Sequence, residues 1–412
     1  GRDTKRISYL ALLDYKPFKK YRMKKTTIFI ILAFIAIIAC KKDNPEPEIN
    51  ETNYFTFDGS IGQNDNSTIV SFDNNLIICG NTNFDGFWTL IKITKQGTEL
   101  WRKEFPGESW AINEPSLVEG ENGDLFVCGE TNRNGNVSKL DILLVKTNLN
   151  GDTLWTKTYG GLENDYAQNI IATSDGNILI SGWSGTDSIA LGDINLLKLN
   201  YNGDTLWARC FADPGHQASY HLLETKNGEY LISGGIEKSG NLSELYLLNV
   251  DANGTRLWEK THGPPTGKVA HSVIELSDNN LVICGYDQEK EKKKKQLLVV
   301  KTDPWGDLIW EKEFGNDSTF ESGNSIQLNL DGTYTILGSY HNNSGWHLKD
   351  MVLLKIDMDG NQVWFKRFGD PDEDERSRNL IKDTNDDNLI TGNFGWSGPI
   401  FLTTTDKDGN FK

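Results

Sequence analysis

Gly151-Asp152-Thr153-Leu154-Trp155 is one of six copies of a Gly-x-x-x-Trp segment, whose tryptophans are Trp101, Trp155, Trp207, Trp258, Trp310 and Trp364. They are spaced 54, 52, 51, 52 and 54 residues apart. A more complete ladder accompanies them: Gly80, Gly129, Gly182, Gly234, Gly285, Gly338 and Gly392 each close an apolar run, as in Asn177-Ile-Leu-Ile-Ser-Gly182. Thirteen residues before each glycine stands a polar residue, namely Ser67, Ser116, Asn169, His221, Ser272, Ser325 or Asn379. Between the two lies a turn such as Ser174-Asp175-Gly176-Asn177, whose Gly and Asn tolerate the positive φ of a tight hairpin. A third apolar run, Asp193-Ile-Asn-Leu-Leu-Lys-Leu199 or Asp350-Met-Val-Leu-Leu-Lys-Ile356, leads through another Gly turn to the tryptophan. Each unit thus supplies four short strands, and no helical periodicity interrupts them. A unit of this length cannot bury its apolar face alone and must stack on copies of itself, which predicts an all-β, seven-bladed β-propeller of four-stranded antiparallel blades.

The chain stops at Gly409-Asn410-Phe411-Lys412, where the seventh unit has built three strands. At the other end, Asn53-Tyr-Phe-Thr-Phe-Asp-Gly59 matches the tail of a tryptophan strand, with Phe57 and Gly59 in the places of Phe105 and Gly107 and Asn53 where the tryptophan stands. The N-terminal strand, about 53–59, is therefore expected to complete the last blade and remove an open sheet edge.

Ahead of it, Met23-Lys24-Lys25 precedes an apolar run over residues 28–39 that ends at Cys40. Twelve apolar residues are too few to span a bilayer and read as a secretory leader, 23–39, with 1–22 as an upstream extension. Residues 40–52, rich in charge and proline, are expected to form a flexible tether. Residues 1–39 hold nine Lys and Arg against two Asp and Glu, so the chain from Cys40 onward bears 33 basic and 56 acidic residues, a formal charge of −23. That balance disfavours nucleic acid and anionic lipid headgroups as partners. Cys79, Cys128 and Cys284 share one repeat position before the ladder glycine, which reads as core and not as a disulfide staple.

Ile37-Ile38-Ala39-Cys40 resembles the bacterial lipobox, which implies a lipid on Cys40, and Lys41-Lys42-Asp43 is similar to the export signal of Bacteroidetes surface lipoproteins. The Gly-turn and tryptophan arrangement over 66–412 resembles propellers of the pyrroloquinoline quinone type, in which the tryptophan docks between neighbouring blades and strand one lines the channel. The whole pattern looks like the uncharacterised β-propeller repeat lipoproteins of the Bacteroidetes. The resemblance implies an outer-membrane, lipid-anchored and surface-exposed monomer.

Loops entering strand one and joining strands two and three share a face, where propellers gather binding residues. Trp88, Trp110, Trp183, Tyr286, Tyr340, Trp346 and Trp396 fall there and are the candidate ligand contacts, since flat rings beside short polar groups suit sugars or a protein surface. The alternative for each ring is a place in the inter-blade core. Ser67, Ser116, Asn169, His221, Ser272, Ser325 and Asn379 are the expected channel ring. No metal site is expected: His262 replaces the aromatic of Tyr159, Phe211 and Phe314, and His341 with His347 offers only two ligands. Calcium, considered for Asp370-Pro-Asp-Glu-Asp-Glu375, is disfavoured against a solvated charge run, and Asp357-Met-Asp-Gly360 places its glycine too early for an EF-hand loop. No nucleophile and base pair, so no cofactor or catalytic residue is assigned. The reading is a non-catalytic, envelope-anchored module recognising a glycan or protein. The alternatives are a scaffold lipoprotein of an outer-membrane assembly and a carbohydrate-active enzyme using Asp165, Glu321 or Glu375.

Overall fold

In a computed structural model the described residues are 49–50, 54–57, 61–82, 88–105, 115–133, 136–185, 192–212, 214–237, 242–263, 267–289, 294–315, 319–342, 349–370, 373–395 and 398–412. All regular structure among them is β. In the third repeat unit the strands Asn164–Thr173, Asn177–Gly185, Asp193–Asn200 and Thr205–Phe211 pair antiparallel in chain order. The fold is an all-β propeller with four-stranded antiparallel blades. Its first strands touch in ring order, and Glu375–Lys382 of the last unit returns to Ile61–Val70 of the first.

One count is corrected. Five blades stand as separate four-stranded sheets and not seven, because the fifth and sixth repeat units share a nine-stranded sheet. A single parallel pairing, Lys295 with Phe320, fuses them. The ninth strand is Ile49–Asn50, which pairs parallel with Arg367 and Phe368. Ile49 and Asn50, within the stretch 40–52 expected to be a tether, are in this strand.

The ladder glycines are explained by a close approach. A Cβ on Gly182, Gly234 or Gly285 would stand 1.8, 1.8 or 1.9 Å from the carbonyl oxygen of Tyr166, Ala218 or Val269 in strand one of the same unit. Directly beyond each of these glycines strand one carries a bulge: Ala167 faces Gly182 and Asn169 faces Ser181, leaving Gln168 over. The same extra residue is Tyr220, His271, Asn324 and Arg378 in the following units. A bulge turns two adjacent side chains away from strict alternation.

Neighbouring units join through the other glycine set. A Cβ on Gly151, Gly203, Gly254, Gly306, Gly360 or Gly409 would come within 3.1 Å of the ring of Trp101, Trp155, Trp207, Trp258, Trp310 or Trp364, each from the preceding unit. All six turn glycines have φ between 72° and 79°, a region costly for other residues. At the seam the strand Phe55–Thr56 pairs with Leu402 and Phe401, completing the sheet of Glu375–Lys382, Asn388–Phe394 and Ile400–Thr405 as expected. Phe57 is buried among Leu76, Ile91, Leu389 and Leu402. The docking ring there belongs to Phe55, against Gly97, so the tryptophan's place is taken two residues beyond Asn53.

In three units a lysine on strand three ties the first hairpin. Lys92, Lys198 and Lys355 are buried, with Asp73, Asp175 and Asp331 at 2.6, 2.5 and 3.0 Å. Burial alone pushes Asp73 and Asp331 up, but bonds from the lysines and adjacent hydroxyls outweigh it and hold both at about 2. Cys79, Cys128 and Cys284 are buried free thiols, and Cys210 is exposed.

Gly182→Ala is expected to lower the unfolding free energy by about 3 kcal/mol or to prevent folding, whereas Gly161→Ala, with open space around its Cβ, changes it by less than about 0.5 kcal/mol. Equal effects in urea denaturation would contradict the close-approach account. Phe57→Ala is expected to cost about 3 to 5 kcal/mol in the same assay, as for a core phenylalanine. A loss under about 1 kcal/mol would show that the seam does not hold the ring.

Candidate functional site

The bulges decide what faces the centre. A cavity of about 540 Å³ is lined by Ser116, Asn169, His221, Ser272, Ser325 and Asn379, six of the seven expected ring residues, and also by the bulge residues Gln168, Tyr220, His271, Asn324 and Arg378. For Ser67 only the backbone, paired with Cys79, is described. Pairwise side-chain bonds from one inner strand to the next backbone fix this lining. Asn169 Nδ2 donates to the Tyr220 carbonyl oxygen at 2.8 Å, His271 Nδ1 to that of Gly323 at 2.9 Å, and Asn324 Nδ2 to that of Ser377 at 2.9 Å. Inner strands of a ring diverge, so side-chain amides and imidazoles bridge where backbone ladders do not.

Enclosure by protein sets the electrostatics. Burial lowers both His221 and His271 to about 4, with the nearby Lys295 charge adding to the effect at His271 and its bond to Gly323 opposing it. Burial brings Arg378 to about 10, where it is still charged at neutral pH. Burial also brings Lys295 to about 7, with help from Lys349. Its Nζ lies 3.4 Å from the centroid of Tyr286, whose ring meets His271 edge-on at 5.2 Å. Tyr220 approaches His271 from another side at 5.3 Å and is 42% exposed.

The candidate loop-face rings divide. Trp183 is partly exposed and stacks on buried Tyr166 with centroids 3.6 Å apart. Tyr286 is partly exposed and belongs to the Tyr220–His271 group. Trp88 and Tyr340 are corrected to core residues. Trp88 is 1% exposed, and its ring fills the space a Cβ on Gly129 would take. Tyr340 is fully buried with the Arg367 guanidinium 4.0 Å from its ring centroid. Trp110, Trp346 and Trp396 lie outside the described residues, as do Cys40 and His347. His341 stacks on Phe320 at 4.5 Å and His262 is buried.

The carboxylates considered for catalysis accept bonds from nearby amides and hydroxyls. Asp165 accepts from the Gly161 amide at 2.7 Å, and Glu375 from the Asp370 amide at 2.8 Å and the Tyr54 hydroxyl at 3.3 Å. Glu321 is buried and accepts from Thr319. Burial, with Asp350 adding to it, pushes Glu375 up to about 7. Asp357 accepts from the amides of Asp359 and Asn361, so its loop is a hairpin turn. Among the described residues no group of three His, Cys, Asp or Glu converges on a metal position. The ladder glycines, which hint at a bulge on the facing strand, were the signal that could have found Gln168, Tyr220, His271, Asn324 and Arg378 in the sequence.

No known family description matches the chain, and no curated protein does. Solved structures similar to the chain include three. A Penicillium chrysogenum α-L-arabinanase complexed with arabinobiose is 12% identical over 72% of this chain and 94% of its own, with a TM-score of 0.46. A protein of unknown function from Dyadobacter fermentans is 12% identical over 76% and 100%, with a TM-score of 0.47. The β-propeller domain of the Trilobed protease from Pyrococcus furiosus, described as having an open velcro topology, is 8% identical over 84% and 94%, with a TM-score of 0.49. No lipoprotein or pyrroloquinoline quinone family is identified.

His221 and His271 make a pH prediction. The unfolded chain protonates them near the ordinary value of 6.5 and the folded chain only near 4, so their contribution to stability is lost as pH falls from 6.5 to 4. Glu375 works in the opposite direction over part of that range, so the comparison is between proteins. The urea midpoint of the His221→Gln/His271→Gln variant is expected to fall less than that of the natural chain between these pH values. Parallel curves would contradict it.

Proposed function

We propose that the chain is a lipid-anchored envelope module that binds a polar, carbohydrate-like ligand at the central channel and the adjoining loop face, without transforming it. The observation that carries this reading is the cavity itself. Carboxamides of Gln168, Asn169, Asn324 and Asn379, the hydroxyls of Ser116 and Ser325, and the half-exposed Tyr220 ring line it together. Amides and hydroxyls on rigid strands exchange hydrogen bonds with sugar hydroxyls, and an exposed ring gives a flat face for stacking. The volume of about 540 Å³ is within the range of small-ligand sites. Trp183, backed by buried Tyr166, and Tyr286 extend the aromatic surface along the loop face. The backbone bonds of Asp165 and Glu375 support binding over turnover, because those carboxylates already hold turns in place. The lipobox-like Ile37-Ile38-Ala39-Cys40 supports the anchor and an outer-membrane, surface location.

On a glycan array, Tyr220→Ala with Asn169→Ala is expected to reduce binding at least tenfold. Trp305→Ala, at a 65% exposed ring on a distant turn, leaves it unchanged. Equal loss in both proteins, or none in either, would contradict the channel assignment. Cys40→Ala is expected to move the chain from the membrane fraction to the soluble one and abolish incorporation of a labelled fatty acid; unchanged partition would refute the anchor.

A further inference from the structure

Resting on the channel reading above, we propose that the ligand bears an anionic group, and that Arg378 receives it. The chain has a formal charge of −16, with 58 Asp and Glu. None of those carboxylates is among the described residues lining the cavity. The lining instead contains Arg378, His221, His271 and a set of carboxamides and hydroxyls. With the imidazoles neutral at pH 7, Arg378 contributes its one permanent charge. In an enclosed, low-dielectric site a single sign of charge focuses the field inward. A cavity of this kind inside an acidic protein accepts an anion where the outer surface repels one.

The geometry supplies further donors beside the guanidinium. Asn379 follows Arg378 directly, and the bulge between Ser377 and Asn379 presents both side chains to the cavity. Across it, His221 Nδ1 is buried and has no hydrogen-bond partner among the described residues. A guanidinium takes a carboxylate or sulfate through two parallel N–H bonds, while neighbouring amides hold the sugar ring. The class indicated is an acidic saccharide, bearing a carboxylate or a sulfate.

The test uses three probes by calorimetry on the full chain: tri-galacturonate, its neutral methyl ester, and inorganic sulfate. The free acid is expected to bind at least tenfold more tightly than the ester, and Arg378→Gln to remove that difference while Arg378→Lys keeps part of it. Equal binding of acid and ester by the natural chain overturns the anion assignment and leaves the carbohydrate reading intact. Sulfate binding that depends on Arg378, with neither saccharide bound, upholds the anion site and overturns the carbohydrate reading. No binding of any of the three overturns both. Because acid and ester are compared on the natural chain, a variant that fails to fold does not rescue the proposal.

Discussion

Among the described glycines an added Cβ would be most crowded at Gly182 and Gly234, 1.8 Å from a carbonyl oxygen of strand one, where even a methyl group has no room. That approach draws strand two against the bulged segment of strand one. The bulge in turn delivers two consecutive side chains to the centre in place of one. The inner strands thereby present a dense polar lining, while apolar residues on the flanking strands remain free to pack between units, as Leu196, Ile232 and Tyr246 do. Channel chemistry and core packing thus have a common geometric origin, and neither is adjustable without the other.

A second constraint acts at the periphery. Each tryptophan rests on the turn of the next unit, where a left-handed glycine clears the space for its ring. Phe55 occupies the same relation to Gly97, so the N-terminal strand both completes a sheet by hydrogen bonding and supplies the missing joint. The ring has no free end among its described strands. Buried lysines such as Lys198, neutralised by hairpin aspartates, stitch strand three to the first hairpin of its own unit. Charged pairs of this sort tolerate burial because the partner is within hydrogen-bond distance.

Much of this was legible in the residues. The tryptophan and glycine periods define the blade, and the Phe57 match identifies the closing strand. Legibility failed where geometry departs from period-two alternation. Tyr220, His271 and Arg378 sit one position before the ring residues, and strict alternation turns them away from the channel. By sequence Trp88 and Tyr340 fall in loops joining strands two and three, yet both lie on strands and pack in cores shared with a neighbouring unit. The single Lys295–Phe320 pairing that merges two units has no sequence signature, since it depends on how far two loops extend the strands beyond their repeat.

The central claim, that bulges place adjacent residues on the same channel, is open to direct chemistry. In a Cys210→Ser background, single cysteines are placed at Gln168, Asn169, Tyr220, His221, Asn324, Ser325, Arg378 and Asn379, and at buried Ala167 and Ser219. A small water-soluble thiol reagent then reports which positions face the cavity. The account predicts that both members of every adjacent pair react, while positions 167 and 219 stay protected. Reaction at only one member of each pair would mean regular alternation, and with it a channel lined by different residues from those described above.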